Sequence, residues 1–151
     1  MRKLEDIAKL MEIANLAGPA SEEMIKAAED ELGVDFPPSY RDFLGSYGAA
    51  LCTGFEIGGL FLCRDDNEPP LWTDVVTTTR QKRRISHGLI PNEYIPISDD
   101  GGDYTFYLDT THRRVDGECP VIVLGPGVDD VVVAEDFFDF VIRASEGNIS
   151  F

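Results

Sequence analysis

The chain is predicted to fold as α+β: N-terminal helices packed on a mainly antiparallel sheet, with a closing C-terminal helix. Three observations carry this. Up to about residue 47, apolar residues recur at helical spacing and each run stops at glycine or proline. From Phe55 onward the apolar runs are short, rich in β-branched and aromatic residues, and separated by turn residues. Glu135–Arg143 then returns to an acidic start with an apolar face. The 151 residues show no internal repeat and no linker, so residues 1–151 are read as a single domain.

Taken in order, Leu4, Ile7, Leu10 and Ala14 predict a first helix that Gly18-Pro19 ends, an additional element over 1–18. Ser21 is the expected N-cap of a second helix, with Glu22 and Glu23 in the turn where the helix dipole favours acids and Gly33 closing it. Pro37-Pro38 opens a third helix, with Tyr40, Phe43, Leu44 and Tyr47 on one face and Gly48 as its exit. Phe55–Ile57 and Leu60–Leu62 read as strands around Gly58-Gly59. A helix follows from about Thr73 to Arg83. Tyr94–Ile97 approaches the sheet, and Asp103–Asp109 alternates as a strand with Tyr104, Phe106 and Leu108 on one face. Residues 120–124 and 128–133 are the last strands, turned as a hairpin by Gly125-Pro126-Gly127. Tyr40, Phe43, Leu44, Leu60, Phe106, Leu108, Val121, Val123, Phe137 and Phe140 form the expected core.

Twenty-eight acids against 13 bases give a net charge of −15, which repels phosphate backbones and argues against a nucleic-acid partner. The basic run Arg80-Gln81-Lys82-Arg83-Arg84 reads as the charged end of a helix. No apolar run reaches the roughly 18–20 residues of a membrane span. The charged start, with Glu5, Asp6, Lys9 and Glu12, does not read as a signal peptide, so no membrane and a cytoplasmic location are expected. Cys52, Cys63 and Cys119 form no Cys-x-x-Cys pair and read as reduced, mostly buried thiols.

The phosphate-loop, nucleophile-elbow and zinc-protease motifs do not occur. Gly125-Pro126-Gly127 precedes a strand, so no helix N-terminus stands behind it for phosphate. Cys119 and His112 are seven residues apart, but no third group orients the pair in sequence, and a buried thiol is the reading taken. The stretch Asp99-Asp100-Gly101-Gly102-Asp103 is the remaining chemical candidate. Counted as an EF-hand from Asp99, it places Gly101, Tyr104 and Thr110 where ligands or a glycine belong, and the match fails. It reads as a glycine turn with an acidic rim. No cofactor, metal site or catalytic residue is expected.

The order of motifs resembles a known family. Glu29-x-x-Leu32-Gly33, then Phe36-Pro37-Pro38-x-Tyr40-x-x-Phe43-Leu44 and Tyr47-Gly48, is similar to the opening of the SUKH superfamily, which includes fungal cell-wall synthesis regulators and bacterial immunity proteins. Gly59-Leu60, Ile97 with Gly101-Gly102-Asp103, and Leu108-Asp109 resemble its middle strands; Asp136–Val141 resembles its last helix. The resemblance covers about residues 21–143. It implies a SUKH-like α+β domain with a non-catalytic binding role, in bacterial members the neutralisation of a toxin, often a nuclease or deaminase.

The expected function is therefore an immunity protein that binds a cognate, basic protein toxin. The alternatives are an intracellular regulator or scaffold of the cell-wall-regulator kind, and a weak metal-dependent enzyme using Asp99, Asp100 and Asp103. The expected partner-binding surface comprises Asp99, Asp100 and Asp103, flanked by Tyr104 and Tyr107, with Asp65, Asp66, Glu68 and Trp72 as an extension.

Overall fold

The computed structural model describes residues 2–62 and 70–151. A 3-10 turn, Leu4–Ile7, leads into the short helix α1 (Ala8–Glu12). The chain leaves the helix before Gly18-Pro19 and pairs as β1 (Asn15–Leu16). The cause is long-range: Asn15 and Leu16 pair antiparallel with Leu51 and Ala50. The Ala17 and Gly18 amides extend the contact, each donating at 3.0 Å to the Ala49 and Tyr47 carbonyls. Helix α2 (Glu22–Leu32) begins and ends as its sequence requires. Ser21 Oγ accepts from the Met24 amide at 3.1 Å, and Gly33 closes the helix at φ 73°.

Helix α3 (Pro38–Tyr47) is joined to α2 through one buried carboxylate. Glu29, 4% exposed, accepts the Phe36 amide at 2.7 Å and the Arg41 guanidinium at 3.0–3.3 Å. Arg41 also grips Glu22 at 2.6 Å. A buried charge is tolerated only when paired and hydrogen-bonded, and this one is both.

Strands β2 (Ala50–Cys52) and β3 (Phe55–Ile57) complete a three-stranded antiparallel sheet in the order β1-β2-β3. Leu60–Leu62, expected as a strand, is not one. The chain here runs backbone against backbone: Leu60 donates to the Gly48 carbonyl at 3.0 Å, and Gly59 to that of Thr73 at 2.9 Å. A Cβ on Gly59 would lie 1.7 Å from the Gly48 carbonyl oxygen, so glycine is what permits the approach. Asp74 then caps α4 (Val75–Ile85), accepting the Thr77 amide at 2.8 Å.

The second sheet is a meander of β4 (Tyr94–Asp99), β5 (Thr105–Asp109), β6 (Val121–Gly125) and β7 (Val128–Ala134), antiparallel throughout. The Gly58 amide donates to the Ile97 carbonyl and Ser98 Oγ to the Glu56 carbonyl, tying β4 to the first sheet. Asp136 caps α5 (Phe137–Glu146) through the Asp139 amide. One side of the meander carries Ile95, Ile97, Phe106, Leu108, Val121 and Val123 into the main core. All ten residues expected in the core are buried there, and Phe137 packs within 5.2 Å, ring centre to ring centre, of both Tyr40 and Phe43.

Candidate functional site

Antiparallel pairing brings two hairpin turns to the same end of the meander. Thr105 at the start of β5 stands opposite Leu124 at the end of β6. The β4–β5 turn therefore lies beside the β6–β7 turn, and Tyr104 Oη donates to the Pro126 carbonyl at 3.0 Å to join them. Asp99, Asp100 and Asp103 are exposed on the first turn, and Asp129 and Asp130 are exposed just after the second. Five carboxylates thus share one end of the sheet.

The first turn is held by its own acids. Asp99 Oδ1 accepts the Gly101 amide at 2.8 Å, and Asp100 Oδ1 accepts those of Gly102 and Tyr104 at 2.8 and 3.2 Å. Gly101 takes φ 81°, the left-handed conformation such a turn requires. One oxygen of Asp99 and one of Asp100 are occupied in this way, which leaves their remaining oxygens and the Asp103 carboxylate to face outward.

The opposite, outer face of the meander is apolar too. Tyr94, Tyr107 and Ile122 form a second buried cluster, with Ile90 and Leu124 packed against it. Between this cluster and the C-terminal end of α4 lies a groove of about 620 Å³. Ile85 and Leu89 stand on its wall, 69% and 89% exposed, and Asp103, Asp129 and Asp130 stand at its rim. Asp130 is left-handed (φ 55°) and the β6–β7 register shifts here. This breaks the strand alternation, so two consecutive aspartates both line the groove. Tyr94 Oη donates to Asp130 Oδ1 at 3.0 Å. Burial, then the bond to Asp130, pushes the Tyr94 phenol up to about 12.

The expected surface is thereby divided. Asp99, Asp100 and Asp103 do share one exposed turn. Tyr104 stands beside them half-buried, its ring 5.0 Å from that of Phe151. Tyr107 does not offer contact area there: it is 2% exposed and floors the groove on the other face. The reason is parity, since residues three apart on a strand face opposite ways. Trp72 is half-buried against Phe61, and its indole donates to the Asn15 carbonyl at 3.0 Å. Asp65, Asp66, Glu68 and Cys63 lie outside the described residues. Sequence reasoning passed over Tyr94, Asp129, Asp130, Ile85 and Leu89. The signal was present in Tyr94–Ile97, Phe106–Leu108 and Val121–Leu124, whose unbroken apolar runs mark strands covered on both faces.

Two further sequence candidates resolve on geometry. Asp109 does orient His112, with 2.6 Å between Oδ2 and Nδ1, a partner not apparent in sequence. The Cys119 thiol, however, is fully buried and pushed up to about 11 by that burial, so it carries almost no thiolate at neutral pH. The basic run forms the last turns of α4, where cations suit the helix dipole. Arg80 pairs with Glu31, Arg83 donates to the Leu32 and Asn92 carbonyls, and Lys82 donates to Thr105 Oγ1 at 3.2 Å.

A family model described as SMI1-KNR4 cell-wall, SUKH_5, matches residues 2–144. The chain belongs to the SUKH_5 family. The match takes in the N-terminal helix that the sequence resemblance leaves outside, and the structure gives the reason: Ile7 and Met11 are buried in the common core. The SUKH family is generally non-catalytic and suggests protein–protein interaction. No helix among the described residues is long and apolar enough to cross a membrane.

Proposed function

We propose that this SUKH_5 domain is a non-catalytic immunity protein that binds a basic cognate toxin, of nuclease or deaminase class, and neutralises it in the cytoplasm. The observation that carries the reading is the gathering of five exposed aspartates from two hairpins at one sheet end, in a chain of net charge −15. Such a field accelerates encounter with a positively charged partner. Asp99, Asp100 and Asp103, with the half-buried Tyr104 beside them, make the first contact. The metal-enzyme alternative gains no support, because no three Asp, Glu, His or Cys side chains among the described residues are grouped as metal ligands.

The test is a search for a toxin domain encoded beside this chain's gene, followed by co-expression of the two. Rescue of growth together with co-elution of the two proteins is the expected result. Growth arrest that persists, with no complex, would contradict it. The family's description favours a second reading, a regulator or scaffold of the cell-wall kind, in which the acidic end docks a native cell protein. A native partner captured in the absence of any toxin gene would favour that reading.

A further inference from the structure

We propose that the groove between α4 and the outer sheet face is a docking site for a polypeptide segment that presents one lysine or arginine flanked by apolar side chains. This rests on the protein-binding reading above and names the part of the surface that supplies specificity. The apolar side of the argument is exposure. Ile85 and Leu89, 69% and 89% exposed, flank a floor of buried Tyr94 and Tyr107, and a volume of about 620 Å³ suits a few side chains rather than a flat contact.

The charge side of the argument identifies the occupant. Asp103, Asp129 and Asp130 line the groove, Asp130 with one oxygen bonded by Tyr94, whereas Lys82, its one cation among the described residues, donates to Thr105 Oγ1 at 3.2 Å. Three carboxylates against one committed ammonium leave an excess of negative charge beside an apolar wall. A basic side chain entering there gains a charge-assisted hydrogen bond, and its apolar neighbours cover Ile85 and Leu89. The left-handed Asp130 serves this geometry, because it turns two consecutive carboxylates to the same groove.

The test uses the full chain and a fluorescein-labelled dodecapeptide carrying Leu-Arg-Leu in a Gly/Ser background. Two control peptides replace either the Arg by Gln or both Leu by Ser. The expected result is binding of the first peptide, about tenfold weaker for either control, with amide shifts concentrated at 85–91 and 124–130. Leu89→Ser, and separately Asp129→Asn with Asp130→Asn, should each weaken binding about tenfold. Asparagine is chosen because it tolerates the left-handed conformation at 130. No binding at millimolar peptide, affinity that follows peptide charge alone, or shifts confined to 99–104 would overturn the proposal. A concentration-dependent dimer abolished by Leu89→Ser would assign the groove to a second copy and also overturn it. A protein toxin that binds the groove variants as tightly as the native chain overturns the groove and leaves the immunity reading standing. Peptide docking without any toxin partner does the reverse.

Discussion

The hydroxyl of Tyr94 on β4 reaches the carboxylate of Asp130 on β7, 3.0 Å away, across the outer face of a four-stranded sheet. One hydrogen bond thus links the two outermost strands of the meander, over the rings of Tyr94 and Tyr107, whose centres are 6.0 Å apart. It closes the floor of the groove and fixes an acidic rim residue that would otherwise be a free surface side chain.

That relationship predicts an alkaline weakness. Burial, and for Tyr94 also the bond to Asp130, pushes the Tyr94 and Tyr107 phenols up from 10.0 to about 12. A group that holds its proton more tightly in the folded chain contributes stability that is complete below its unfolded value. That contribution is lost as pH rises through the folded value. The thermal midpoint should therefore fall between about pH 10 and 12. Tyr94→Phe should make this fall shallower; an identical pH profile for the variant would contradict the assignment.

The Glu29–Arg41 pair predicts a stability effect away from any binding surface. Glu29→Ala removes a buried acceptor from both the Phe36 amide and the Arg41 guanidinium. Arg41 keeps its bond to Glu22, so the cost is mainly that of leaving the buried Phe36 amide unpaired, about 1–3 kcal/mol. Urea unfolding measures it. A loss below about 1 kcal/mol, the scale of an exposed pair, would show that the carboxylate is not the joint between α2 and α3.

Phe43 sits fully buried between Tyr40 and Phe137. Phe43→Ala should cost about 3–5 kcal/mol. An unchanged unfolding midpoint would remove α3 from the core.

What sequence makes legible here is what local chemistry decides. Ser21, Gly33 and Gly48 mark helix ends because capping and positive φ act over a few residues. The β6–β7 hairpin is readable from Gly125-Pro126-Gly127 for the same reason. Pairing decided at a distance was not legible. The two- and three-residue strands β1 and β2 exist only through each other, and Leu60–Leu62 lost its strand to backbone contacts with Gly48. At the candidate site, the acidic turn was readable as a turn, but its adjacency to Asp129 and Asp130 depended on the register of β5 against β6. Strand parity alone separates Tyr107 from Tyr104.

The most direct test of the central claim, that the acidic sheet end steers a basic protein partner, is the association rate with the cognate toxin domain across ionic strength. The variant is Asp99→Asn, Asp100→Asn, Asp103→Asn, with a thermal scan to verify that the fold is retained. Surface charges act on encounter more than on dissociation, and salt screens them within about 10 Å at 0.1 M. The account predicts that the variant associates at least about tenfold more slowly at low salt, with a flatter salt dependence and a nearly unchanged dissociation rate. An unchanged association rate at low salt would contradict it and reduce the five-aspartate end to a solvated turn.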